Sequence, residues 1–159
     1  MRITQPNRVV RTYVQKLIAE PARVFPLLCP VREAEWIENW DPEIVLSESG
    51  FAEPDCVFVT SGVSSDAIWY ITQHDPDEGL IEMIKITPAV TACKLTIRLA
   101  PSETGSEATV TYAHTSLGTR GDAFVEAFTE EYYQSFMQEW EAQMNHFLSE
   151  GEALRAGAH

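Results

Sequence analysis

The chain has 159 residues, of which 24 are acidic and 11 basic, giving a formal net charge of −13. This length fits one domain, spanning residues 1–159, and folding at this size removes about two thirds of the accessible surface from water, enough for a core without staples. The charge repels phosphate backbones and anionic bilayers, so neither nucleic acid nor a membrane surface is an expected partner.

Val9 to Ile18 is rich in β-branched and aromatic residues and reads as a first strand, closed by Glu20-Pro21. Pro21 suits a first helical position, while Pro26 and Pro30 interrupt so soon that only two short helices fit, roughly Pro21 to Leu28 and Val31 to Ile37. From Pro42 the pattern alternates in short stretches: 43–47, 56–60, 67–73, 80–87, 92–100 and 108–115. The turns between them, such as Asp75-Pro76-Asp77-Glu78-Gly79, are too short for crossover helices, so neighbouring strands are expected to be antiparallel.

A turn centred between Glu103 and Thr104 pairs Ile97 with Val110, Leu95 with Tyr112 and Cys93 with His114, all on one apolar face. That face needs a cover, and only the last element is long enough to supply it. A helix is expected from Gly121 or Asp122 to Ser149, with Gly151 as its stop. Its apolar residues recur every four, through Phe124, Phe128, Tyr132, Phe136, Trp140, Met144 and Leu148, so the buried face rotates along the axis as a twisted sheet would require, and Val125, Tyr133, Met137 and Phe147 widen the buried arc. Residues 1–6 and 152–159 read as loose ends.

Cys29, Cys56 and Cys93 are far apart and odd in number, which suggests neither a disulfide framework nor a zinc site. No metal and no cofactor are expected. Met1 to Val10 carries Arg2, Gln5, Asn7 and Arg8 where a signal peptide would be apolar, and no later run approaches membrane-spanning length. A cytoplasmic location follows as the expectation, and a homodimer is compatible with the sequence.

Strand, two short helices, six strands and a long closing helix resembles the order of the START-like, Bet v 1-like (SRPBCC) superfamily over nearly the whole chain. The segment from Phe25 to Trp36, Phe-Pro-Leu-Leu-Cys-Pro-Val-Arg-Glu-Ala-Glu-Trp, is similar to the polyketide cyclase and dehydratase-like branch. The resemblance implies an α+β helix-grip fold, with a seven-stranded antiparallel sheet wrapped around the C-terminal helix and an apolar cavity between them. Ligand contacts are then expected on the strands from Trp69, Ile71, Glu82, Ile84, Leu95, Ile97, Tyr112 and His114. The helix would add Phe128, Tyr132, Phe136 and Trp140, and the short helical pair Trp36.

His114 is the candidate for proton transfer, although a hydrogen-bonded wall histidine is the plainer reading. Pairing through Asp77-Glu78 sets Glu82 opposite Gln73 and, with unbroken alternation, on the face of Trp69, Ile71, Ile84 and Ile86. A carboxylate there would need a partner or a wetted position at a cavity lip. Arg32, Glu33 and Glu35, beside Trp36 and Trp40, would line a cavity mouth or form a solvated helix face. Asp122, Glu126, Glu130, Glu131, Glu139 and Glu141 read as the solvated side of the long helix. Glycine-rich phosphate loops, His-Glu-x-x-His and Gly-x-Ser-x-Gly are absent from the sequence.

Three functional readings remain open. One is a carrier of a small apolar, aromatic or lipid-like molecule. A second is an enzyme resembling the polyketide cyclases, with Tyr112, His114 and Tyr132 or Tyr133 placing substrate and moving protons. The third is a protein-docking module resembling the heat-shock ATPase activators.

Overall fold

The computed structural model describes residues 1–62 and 65–155. Strand β1 (Arg8–Leu17) is followed by a single helical turn, α1 (Pro21–Val24), and two 3₁₀ turns at Phe25–Leu27 and Arg32–Glu35. The short strands β2 (Ile44–Leu46) and β3 (Val57–Thr60) then lead into β4 (Ala67–Asp75), β5 (Leu80–Thr87), β6 (Thr91–Ser102) and β7 (Gly105–Ser116). Two helices, α2 (Thr119–Ala127) and α3 (Glu130–Glu150), follow. All seven strands form one sheet in the order β1-β7-β6-β5-β4-β3-β2, with every neighbouring pair antiparallel.

The β6–β7 register is the one the turn dictates: Cys93 opposes His114, Leu95 opposes Tyr112 and Ile97 opposes Val110. The two-residue turn at Glu103-Thr104 ends on Gly105 at φ 144°, where a Cβ would collide with the backbone of Leu17 and Ala19. Glycine there lets the end of β1 close on the hairpin.

The β4–β5 ladder carries an irregularity that the alternation does not show. Gln73 faces Glu82 as the turn predicts, but Ile71 faces Met83, leaving Thr72 as an extra residue in β4. Beyond this bulge Trp69 therefore opposes Lys85, not Ile86. Ile81 and Met83 are buried, and Glu82 joins Lys94 on the other side of the sheet at 3.6 Å. The expectation that Glu82 and Ile84 share the inner face is thus corrected by one inserted residue.

The early helical segment is shorter and tighter than two α-helices, because Pro26 and Pro30 remove backbone donors. Two indoles staple it instead. Trp36 Nε1 donates to the Leu27 carbonyl at 2.9 Å, and Trp40 Nε1 to the Pro30 carbonyl at 2.8 Å.

The closing helix is broken at Phe128-Thr129. Phe128 leaves the helical conformation (φ −82°, ψ 64°), and the Thr129 hydroxyl accepts the Tyr132 amide at 3.1 Å, capping a new helix. The break resets the helical phase, so α3 buries Tyr133, Met137, Met144 and Leu148. Tyr132, in the unbroken every-fourth row, stands 56% exposed. Gly151 ends α3 in the left-handed region at φ 75°, donating to the Phe147 carbonyl at 2.8 Å.

Side-chain bonds lock α3 to the start of the chain. Arg23 donates to the Leu148 carbonyl at 2.6 Å and Gln15 to the Met137 carbonyl at 3.1 Å. Asn145 takes the Ile18 amide at 3.0 Å and gives to the Lys16 carbonyl at 2.9 Å. The last two contacts occupy backbone groups at the end of edge strand β1 that would otherwise invite another strand. Among the described residues, no helix is long and apolar enough to cross a membrane.

Candidate functional site

Between the concave sheet face, the 3₁₀ turns and α3 lies a partly enclosed cavity of about 260 Å³. Its sheet wall is Phe58, Trp69, Met83, Lys85, Leu95, Ile97 and Tyr112. Leu28, Pro30, Glu33, Ile37 and Trp40 close one side, and Phe136 and Trp140 of α3 form the roof. A larger depression of about 520 Å³ around Leu46 to Asp55 is an open surface feature, remote from these groups.

Aromatic packing shapes the wall. Phe58 and Trp69 stack with centroids 5.2 Å apart and planes 10° from parallel. The Trp69 indole also donates to the Thr60 hydroxyl at 3.0 Å. Tyr112 meets Tyr133 and Phe136 edge-on at 5.7 and 5.9 Å, and the Tyr133 hydroxyl is occupied by the Val110 carbonyl at 2.6 Å.

The bulge at Thr72 brings four reactive or aromatic residues into one row across the sheet: Trp69 opposes Lys85, Lys85 opposes Cys93 and Cys93 opposes His114. Lys85 Nζ sits 4.7 Å from the Trp69 ring centroid. No carboxylate among the described residues lies within ion-pair distance of it. Burial lowers the affinity of this amine for its proton, with Cys93 acting in the opposite sense.

Glu33 is the other titratable group in the cavity. It is half-buried at the cavity wall, and burial pushes its pKa up to about 8. At neutral pH it is a carboxylic acid, able to donate a proton or a hydrogen bond. Burial likewise raises the Tyr112 phenol far above its usual range, with Cys93, Tyr133, Glu33 and Tyr132 adding to the effect. It pushes the Cys93 thiol up to about 12 against the smaller opposing pull of Lys85, so this thiol stays protonated.

Of the expected ligand contacts, Trp69, Leu95, Ile97, Tyr112, Phe136 and Trp140 line the cavity, as do Glu33 and Trp40 from the segment expected at its mouth. Ile71 and Phe128 are buried in the surrounding core, and Trp36 is buried against Trp140 with ring centroids 5.4 Å apart. Glu82 and Ile84 are on the opposite sheet face, and Tyr132 points to solvent. His114 is buried among Phe124, Phe128 and Tyr112 at 4.7, 4.7 and 5.9 Å rather than at the cavity wall, and its Nδ1 has no hydrogen-bond partner. Burial, then Lys85, pulls its pKa down to about 4, so the ring is neutral at pH 7.

Lys85 and Met83 escaped the strand pattern because the bulge has no signature in alternating hydrophobicity. Leu28, Pro30 and Ile37 escaped because the path of the 3₁₀ segment follows from two indole hydrogen bonds. Glu33 was visible only as one of several charges near a cavity mouth.

No protein-family model and no curated protein matches the chain. Solved structures do, at low identity. A protein from Rhodobacter sphaeroides has a TM-score of 0.65 at 14% identity, with 88% of this chain and 91% of that chain covered. Norcoclaurine synthase from Thalictrum flavum has a TM-score of 0.64 at 12% identity, covering 91% of this chain and 88% of that chain. Ara h 8.0201 has a TM-score of 0.58 at 12% identity, covering 87% and 93%. With the seven-stranded antiparallel sheet and the closing helix, these likenesses establish that the chain has the helix-grip fold of START-like, Bet v 1-like proteins.

Proposed function

We propose that the chain binds a small apolar, aromatic molecule in the cavity between sheet and α3. The supporting observation is the cavity itself: about 260 Å³ walled by Trp40, Phe58, Trp69, Tyr112 and Trp140, with one acid and one amine among apolar neighbours. Few polar groups in an apolar concavity is the usual composition of a ligand site, and this volume, slightly below the common range of about 300–1,000 Å³, favours compact ligands.

The test is a panel of fused-ring aromatics, flavonoids and fatty acids, read by tryptophan emission and by thermal unfolding. A ligand at a hundred times its dissociation constant adds about 2.7 kcal/mol, or roughly 5–10 °C in Tm for a chain of this length. Trp69→Phe should weaken the emission change and retain most of the Tm shift. Silence in both signals across the panel overturns the reading.

A second reading, an enzyme similar to the polyketide cyclases, is favoured by Glu33, a proton donor up to about pH 8 in the same cavity as Tyr112 and Lys85. In this reading the acid of Glu33 takes the part first considered for His114. Loss of turnover in Glu33→Gln with ligand binding preserved would support it, and unchanged turnover would remove it.

A further inference from the structure

The cavity contains an amine without a counter-ion. We infer that Lys85 is a carbonyl-capturing group that forms an imine with an aldehyde or ketone of an apolar aromatic compound held in the cavity. This rests on the cavity being a ligand site, as proposed above.

Three observations carry the inference. Lys85 lines the cavity from the middle of the sheet, where its stem is held between the neighbouring strands at Trp69 and Cys93. Its Nζ leans on the Trp69 indole and has no carboxylate partner among the described residues, so the ammonium form is held only by a ring face, a weaker partner than a carboxylate. Glu33 lines the same space as a neutral acid. A lysine desolvated by apolar walls keeps more of its free-base form, the nucleophile that carbonyl addition needs. An anionic ligand is the less favoured occupant, because a carboxylate entering the cavity would lose its own hydration to pair with the amine.

The step is balanced without an oxidant or reductant. The Nζ lone pair attacks the carbonyl carbon, the carbon–oxygen π pair moves to oxygen, and that oxygen takes a proton while nitrogen releases one. The resulting carbinolamine loses its hydroxyl as water once protonated, and the nitrogen lone pair closes the carbon–nitrogen double bond. Glu33 is the acid in the cavity able to supply that last proton and recover one from nitrogen. The apolar walls favour the product by excluding the water that would hydrolyse it.

The chain offers its own controls, because its lysines are Lys16, Lys85 and Lys94, and only Lys85 is withdrawn from solvent. Incubation of the intact protein with 2-naphthaldehyde and sodium cyanoborohydride, followed by peptide mapping, should place the adduct at Lys85. The mass gained is that of the probe less its oxygen. Labelling of Lys85 is expected to exceed that of Lys16 or Lys94 by about tenfold, and to vanish from this position in Lys85→Arg and Lys85→Met. Equal labelling of all three lysines, or labelling confined to Lys16, Lys94 and the terminal amine, overturns the inference; the map of the unsubstituted protein decides this even if a variant fails to fold. A parallel thermal scan with 2-naphthylmethanol, which lacks the carbonyl, separates the two ideas. A Tm shift without a Lys85 adduct removes imine formation and leaves the ligand site standing; neither signal removes both.

Discussion

Trp69 and Lys85 face each other across β4 and β5 on the concave side of the sheet, with the amine nitrogen 4.7 Å from the indole centroid. The indole face recovers part of what burial takes from the cation, but an aromatic ring is a weaker partner than a carboxylate. Lys85→Met should therefore stabilise the unliganded fold by about 1 kcal/mol, seen as a rise of roughly 2–4 °C in Tm. A lower Tm would mean that Lys85 is present for packing and that its charge carries no penalty.

Glu33 gives the stability curve a definite slope. Its folded pKa of about 8 is above its ordinary 4.5, so between these values the folded chain retains a proton that the unfolded chain has released. Stability is lost as pH rises through this window, with the full loss reached above about 8. The difference between the native protein and Glu33→Gln should change by on the order of a few kcal/mol between pH 5 and 9. Parallel denaturant-unfolding profiles over that range would place the Glu33 carboxyl in water.

His114 acts on the acid side. The unfolded ring takes a proton near 6.5 and the folded ring only near 4, so stability contributed by the neutral ring falls as pH drops through this interval. His114→Leu, placed among Phe124, Phe128 and Tyr112, removes that acid limb and the unpartnered Nδ1. At pH 7–8 its stability should remain within about 1.5 kcal/mol of the parent. A steep acid loss persisting in the variant would point to another titrating group.

Filling the cavity should separate folding from binding. Leu95 is 5% exposed and sits on the cavity wall, so Leu95→Trp projects an indole into the space at a cost of about 1–3 kcal/mol. Cooperative unfolding should survive while every ligand-induced Tm shift disappears. Undiminished shifts would locate binding elsewhere.

Much of the architecture was legible because it follows from short-range rules. The Glu103-Thr104 turn sets β6 against β7 residue by residue, and Gly151 stops α3 where a left-handed residue is needed. The site was less legible, because its polar groups depend on local departures from periodicity. Thr72 inserts one residue and exchanges Ile84 and Ile86 for Met83 and Lys85 on the concave face. The break at Phe128-Thr129 similarly removes Tyr132 from the buried arc and leaves Tyr133 in it. Neither a bulge nor a capped break changes the mean hydrophobic pattern, so side-chain alternation carries no warning of them.

The bonds that fasten β1 to the rest of the fold join residues far apart in sequence: Arg8 pairs with Thr115, and Ile18 meets Asn145, 127 positions away. Contacts this distant form only after a large loss of chain entropy, which slows folding. During synthesis β1 leaves the ribosome long before β7 and α3 exist, so its edge stays unpaired for most of translation. At about 5–20 residues per second that interval lasts on the order of ten seconds, during which Val10 and Val14 are open to pairing with other nascent chains. Completion of β7 and α3 thus decides both when the cavity is roofed and when both edges of β1 are covered.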